Sequence, residues 1–157
     1  MDTDGRHRRP PPPEEAAMYR SARPSAMITA AAVDHVRLSY LYLDEGNLDG
    51  YASLLDDDIQ LKRPDAPHAH GRAEVLDLMS VLSGPPGRHE LYKVIASGDC
   101  VAAMGHFTGP TAFPCPDERL DVDFVDVFTI SDKGLLLGHR RYYYTAPSLA
   151  VVDKVPQ

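Results

Sequence analysis

The spacing of apolar side chains changes character along this chain. From Met27 to Glu45, Ala32, Val36, Tyr40 and Leu43 recur at intervals of four, four and three residues, which is one face of a helix. Gly46 is placed to cap its C-terminus, and Asn47 or Asp49 to cap a short second helix through Tyr51, Leu54 and Leu55. The run Asp56-Asp57-Asp58 predicts a break, a solvated helix end, followed by a short strand from Ile59 to Lys62. Pro64 to Gly71 predicts a loop. Val75, Leu78, Met79 and Leu82 share one face of a third helix over 72–82, and Ser83 to Glu90 predicts a second loop.

Beyond that loop the period falls to two. Leu91 to Ser97, Cys100 to Thr108, Leu120 to Ile130 and Leu135 to Tyr144 predict four strands. They are separated by Gly98-Asp99, a proline-rich segment over 109–118, and Asp132-Lys133-Gly134. Helices first and hairpins afterwards predict an α+β fold, with the helices packed on one face of an antiparallel sheet. Residues 1–25 include four consecutive prolines, many charges and few apolar side chains, a composition that predicts a disordered tail. The expected organisation is therefore a tail over 1–25, one domain over 26–147, and a C-terminal tail over 148–157.

Composition narrows the partners. The 157 residues suit one domain, and 43% hydrophobic content suits a packed core. A net charge of -7 with pI near 5.4 argues against nucleic acid or an anionic membrane as the main partner. Two cysteines, Cys100 and Cys115, give neither a disulfide framework nor zinc-site spacing, and Cys100 is expected in the core. No apolar run approaches the ~20 residues of a membrane span, and the first residues lack the apolar centre of a signal peptide. A cytoplasmic protein is expected.

Charges inside predicted strands carry the candidate chemistry. Asp126 interrupts one strand, and His139, Arg140 and Arg141 interrupt the next. An unpaired buried charge is costly, so such residues need partners or a purpose.

The stretch YLDEGNLDGYASLLDDDIQL, then Gly71-Arg72 opening a helix, then VDVFTISDKGLLLGHRRYYY, resembles the SnoaL-like polyketide cyclases. These belong to the ketosteroid isomerase and nuclear transport factor 2-like superfamily. The resemblance spans about residues 30–145 and implies a cone: a curved antiparallel sheet wrapped around N-terminal helices, enclosing a deep apolar pocket. Asp126 falls where the isomerases carry the aspartic acid that donates to the substrate oxygen. Taken as inward-facing, it brings Val122, Phe124 and Phe128 with it by strand alternation. The same alternation is expected to turn His139, Arg141 and Tyr143 inward on the last strand, and Ala102, Met104 and His106 inward on the strand from Cys100 to Thr108. His106 is similar to a histidine that the cyclases carry there.

The implied site has Asp126 and His106 as a catalytic acid–base pair, with Arg141, His139, Tyr143, Tyr40, Met104, Phe124 and Arg63 around the substrate. Departures from the isomerases are visible. Arg63, before Pro64, stands where their general base lies, and Ser39, beside Tyr40 and Tyr42, stands where their oxyanion tyrosine lies. An epoxide-hydrolase site would need a second aspartate near Arg141. The resemblance thus implies a cyclase acting by aldol-type cyclisation, dehydration or isomerisation on a polyketide-like or polycyclic carbonyl compound. The setting would be secondary metabolism such as antibiotic biosynthesis, with no cofactor.

The competing expectation is a non-catalytic small-ligand-binding or docking module of the same fold. An Asp126 locked to Arg141, or a pocket closed by its own side chains, would favour it. His68 and His70 have the look of two metal ligands, but no carboxylate is placed beside them, so no metal is expected. Val125, Val127, Tyr142 and Tyr144 fall on the outer face, which predicts a homodimer.

Overall fold

The computed structural model of the chain describes residues 26–110 and 119–144. The expected tails over 1–25 and 148–157 lie outside the described residues. Helix α1 (Ala26–Glu45) is followed by α2 (Leu48–Ser53), β1 (Leu55–Lys62), β2 (Ala69–His70) and α3 (Arg72–Leu82). Four long strands complete the chain: β3 (Arg88–Ser97), β4 (Cys100–Pro110), β5 (Arg119–Ile130) and β6 (Leu136–Tyr144). They form one curved, unclosed six-stranded sheet in the order β2-β1-β6-β5-β4-β3. Neighbours are antiparallel except β1 and β6, which run parallel. No helix among the described residues is long and apolar enough to cross a membrane.

The helices lie on the inner face. Ala32, Val36, Tyr40 and Leu43 of α1 are buried with Tyr51 of α2 and Val75, Met79 and Leu82 of α3. They pack against Val101, Phe107, Phe124, Phe128 and Leu136 of the sheet. Asn47 caps α2 through its side-chain oxygen, which accepts from Gly50 N at 2.9 Å.

Three local expectations are corrected. Asp56-Asp57-Asp58 does not break the chain; it lies within β1, whose Leu55 already pairs with Leu136. They occupy an irregular stretch of β1 between Leu55 and Gln60, and pairing with β6 on either side of it holds them extended. Arg88, His89 and Glu90 are not loop residues but the start of β3, paired with Thr108, Phe107 and His106. Cys100 is exposed at the head of β4, not buried in the core.

The fourth correction concerns the phase of β4. Directly opposed residues of an antiparallel pair point to the same face. Ala103 opposes Asp126 and Phe107 opposes Val122, so Val101, Ala103, Gly105 and Phe107 point inward. Ala102, Met104 and His106 therefore face outward, one residue out of the expected phase. Eight residues separate β4 from β5 along the chain, so sequence spacing alone leaves this register open, and a slip of one residue reverses every side chain. On β3 a bulge between Leu91 and Lys93 changes the phase again, so His89, Leu91, Val94 and Ala96 share the inner face.

Gly105 sits on the inner face of β4, hard against β3 and the Phe124 ring of β5. A Cβ there would run into the backbone carbonyl of Glu90 and stand 3.0 Å from the Phe124 ring. We expect Gly105→Ala to destabilise the fold by roughly 1–3 kcal/mol, the usual cost of overpacking. Denaturant titration tests this, and an unchanged midpoint would contradict it.

Candidate functional site

Asp126 is fully buried at the centre of β5, and Arg141 stands opposite it on β6. Arg141 grips both carboxylate oxygens: Nε donates to Oδ1 at 2.8 Å and Nη2 to Oδ2 at 2.7 Å. The Tyr40 hydroxyl, from α1, donates to Oδ2 at 2.7 Å. The guanidinium carbon lies 4.4 Å from the Phe124 ring centroid, so the cation also rests on an aromatic face. Burial alone would raise the Asp126 carboxyl, but Arg141 and His139 outweigh it and hold it well below the usual carboxylate range. Burial and the Asp126 charge hold the Tyr40 hydroxyl well above its ordinary value, so it keeps the proton it donates.

A second arm joins this pair. Asp44, one helical turn beyond Tyr40, accepts from His89 N at 2.8 Å and lies 2.6 Å from His89 Nδ1. A carboxylate there fixes the tautomer with hydrogen on Nδ1, which leaves Nε2 to accept from Arg141 Nη2 at 3.0 Å. Burial pushes His89 down to about 4, with Asp44 opposing the shift, so the ring is neutral at physiological pH. The contacts run Asp44, His89, Arg141, Asp126, Tyr40 and return to the helix on which they began.

A third group lies toward the end of β1. Arg63, which is buried, donates from Nε to Asp65 Oδ1 at 2.6 Å and from Nη2 to Oδ2 at 2.8 Å. Arg63 Nη2 also donates to the Tyr143 hydroxyl at 2.7 Å, and that hydroxyl donates to Asp65 Oδ2 at 3.1 Å. His139 is buried and stacks on Phe128 with centroids 4.3 Å apart. Its Nε2 stands 3.2 Å from Asp126 Oδ2 but is misaligned, and neither ring nitrogen makes a hydrogen bond within the described residues. Burial holds His139 below its ordinary value, against the pull of Asp126.

What remains open among these side chains is small. A cavity of about 10 Å³ lies between Leu43, Met79, Leu82, Phe107, His89 and Arg141, room for about one water.

Tyr40, Arg63, Phe124, Asp126, His139, Arg141 and Tyr143 thus gather on the inner side of the sheet, as expected. His106 and Met104 do not. His106 is on the opposite face, with Nδ1 2.7 Å from Asp123 Oδ1 and Nε2 2.5 Å from Asp121 Oδ1, so the sheet itself separates it from Asp126. His68 and His70 are exposed, and no cluster suited to a metal ion occurs among the described residues. Ser39 turns its hydroxyl onto the Val36 carbonyl, and the interior hydroxyl comes from its neighbour Tyr40.

The sequence reading missed His89, Asp44 and Asp65. Period-two alternation carried back from Leu91 places His89 inward, and the spacing of four from Tyr40 places Asp44 on the same helix face.

An open curved sheet wrapped around N-terminal helices, with a polar centre inside the cone, defines the nuclear transport factor 2-like class. Within it the chain belongs to the SnoaL-like domain family, whose profile matches residues 36–139. No curated protein sequence matches the chain.

Among solved structures, one assigned to the SnoaL-like polyketide cyclases, from Jannaschia sp. CCS1, has 20% identity and a TM-score of 0.63, covering 83% of this chain and 96% of its own. An LEH-like epoxide hydrolase of M. tuberculosis has 17% identity and a TM-score of 0.62, covering 74% of this chain and 84% of its own. TerC, crystallised with polyporic acid, has 18% identity and a TM-score of 0.59, covering 73% and 92%. At these identities the likeness establishes the shared fold.

The buried neutral histidine gives a signed pH dependence. The unfolded chain takes up a proton on His89 near the ordinary value of 6.5, whereas the folded chain resists until about 4. Stability is therefore expected to fall as pH drops from 6.5 toward 4, by up to roughly 3 kcal/mol. Urea titrations of wild type and His89→Gln across this range test it; equal slopes for the two proteins would contradict the assignment.

Proposed function

We propose that the chain binds a small molecule inside its cone and that Asp126 is a fixed partner of Arg141, not a proton shuttle. The supporting observation is the threefold grip on Asp126 by Arg141 and Tyr40. A general acid must release and regain a proton near working pH. A carboxylate held this far below its ordinary range does neither.

The interior is nevertheless too polar for a purely structural core. Buried ion pairs are often no better for stability than apolar residues of the same volume. Two arginines, two histidines and the Asp44 carboxylate lining one small cavity are better accounted for by ligand recognition. Leu43, Met79, Leu82 and Phe107 supply an apolar wall beside Arg63, Arg141 and His139. That combination suits a compound with an apolar body and one acceptor group, a carbonyl or carboxyl oxygen. Entry requires the Ser83–Gly87 segment to move from the cavity wall, where Gly84 N donates to Leu43 O at 2.9 Å.

One arrangement favours the second reading, a cofactor-independent cyclase, isomerase or dehydratase acting on a polyketide-like carbonyl compound. Asp44 orients a neutral His89 toward the cavity, the arrangement of a general base. His89 then takes the place assigned to His106, while Arg141 and Tyr40 donate to the enolate oxygen. Because Arg141 already occupies His89 Nε2, this base acts only if a substrate oxygen draws the guanidinium away.

One experiment tests the buried pair, and a second separates the readings. If Asp126 is a fixed partner of Arg141, Asp126→Asn unfolds more easily by roughly 3–5 kcal/mol, the cost of leaving one member of a buried pair alone. A variant as stable as wild type would contradict a structural pair. In the second, aromatic ketones and carboxylates are screened by thermal shift, and those that bind are incubated with the protein in D₂O. The binding reading expects a raised melting temperature and no deuterium entering beside the carbonyl. Exchange that is catalysed by wild type and lost in His89→Gln would establish the enzyme reading instead.

A further inference from the structure

On the outer face of the sheet, away from the cone, a groove of about 490 Å³ runs over β1, β5 and β6. Its floor is Gly138 of β6, which stands between Gln60 of β1 and Thr129 of β5. Paired residues point to the same face, so Gln60 and Thr129 rise on either side of a position with no side chain. A Cβ on Gly138 would meet Thr129 at 3.3 Å, so a larger residue would fill this well. Lys62 and Arg140 are the next outward pair along the same two strands and close the well at one end. Beyond them Val127 and Tyr142 continue the lining as an apolar ledge, with Tyr142 50% accessible.

Irregular pairing shapes this groove, and its polar side chains face no internal partner. Register shifts fall between Leu55 and Gln60 of β1 and between Thr129 and Ile130 of β5, both at the Gly138 end. Irregularities of this kind re-aim side chains and recur beside active sites. Lys62 and Arg140 form no ion pair among the described residues. The side chains of Gln60 and Thr129 make no hydrogen bond among them either. Like charges side by side on neighbouring strands repel each other. The chain has 23 acidic residues against 16 basic ones, yet none of the described carboxylates is set against this pair.

We propose that the groove binds an aryl phosphate ester, with the phosphate over Gly138 and the ring against Tyr142. Two adjacent cations match a dianion, whereas a carboxylate would leave one of them without a counter-charge. Arg140 presents parallel donors to phosphate oxygens, and Lys62 adds a compact positive charge. Gln60 and Thr129 bring neutral donors to the two sides of the well. Four donor side chains suit the three terminal oxygens of a phosphate better than the two of a carboxylate. The missing side chain at Gly138 lets the phosphate approach the strand backbone. The flat body of the ester then lies along Val127 and Tyr142, a mostly apolar surface with a few placed polar groups beside it. This site is distinct from the interior one: His139, between Gly138 and Arg140 in the chain, is buried on the opposite face of the sheet, stacked on Phe128.

Calorimetric titration of the full-length chain with 1-naphthyl phosphate tests the assignment, with 1-naphthol and inorganic phosphate titrated as its separate parts. The ester is expected to bind once per chain, more weakly at high salt, and at least ~10-fold more tightly than either part, because each part holds the other in place. Lys62→Gln and Arg140→Gln break no contact within the described residues, so both should melt as wild type does. Each should weaken the ester at least ~10-fold, as loss of a charge-assisted contact does. Gly138→Ala, which narrows the well, should weaken it as well; if that variant fails to fold, the two charge variants decide. No binding of the ester, or 1-naphthol binding as tightly as the ester, would overturn the proposal. An affinity untouched by both charge variants would do the same, by placing the ester elsewhere, the cone included. A wild-type dimer that both charge variants dissociate and the ester does not would give the groove to a second copy of the chain, and would also overturn it.

Discussion

A bidentate ion pair between two strands, closed off from water, constrains the rest of this domain. Asp126 and Arg141 oppose each other across β5 and β6, so the register of that hairpin decides whether they meet. Shifting it by one residue would expose one partner and strand the other inside. Each remaining polar group of the pair then needs its own partner, because a buried, half-satisfied network is worse than an apolar core. Tyr40 meets the spare carboxylate lone pair, His89 takes a spare guanidinium hydrogen, and Asp44 holds His89. Helix α1 is therefore pinned to the sheet at two points four residues apart, through hydrogen bonds as well as through Val36 and Leu43.

This arrangement sets what the interior can do. Low dielectric strengthens the attraction between opposite charges and fixes both as ions. The pair presents permanent donors and a permanent charge distribution, suited to recognising an acceptor oxygen. In the enzyme reading proposed above, proton transfer falls to the neutral imidazole of His89 and not to a carboxylate already satisfied by three donors. The SnoaL-like fold is used by enzymes of several kinds. In this chain the identity of the groups beside the cavity, not the fold, decides between binding and chemistry.

Most of the architecture was legible in the sequence. Helical spacing in α1 and α3 and alternation in β5 and β6 predicted those elements nearly to the residue, and once the family resemblance set Asp126 inward, alternation gave the inward set Phe124, Phe128, His139, Arg141 and Tyr143. Failures came where register depends on distant pairing. Eight residues separate β4 from β5, so its phase was not encoded nearby, and His106 and Met104 were assigned to the wrong face. The same strand set Cys100 apart from the core. Asp56 to Asp58 read as a terminator because aspartate favours turns and helix ends, but pairing of Leu55 and Gln60 with β6 on either side keeps them in β1. His89 was hidden by Gly84-Pro85-Pro86-Gly87, whose turn signal extended the apparent loop past the true start of β3. The bulge between Leu91 and Lys93 then obscured the alternation that would have recovered it.

The ionisation of Asp126 is the most direct test of this account. Carbon-13 NMR of its labelled side-chain carboxyl, followed from pH 8 downward in the intact protein, reads the proton without any assumed substrate. A shift that stays at the carboxylate value until the protein unfolds in acid is the expected result. Titration in the folded state with a midpoint near neutrality would contradict it, and would return Asp126 to the role of proton shuttle.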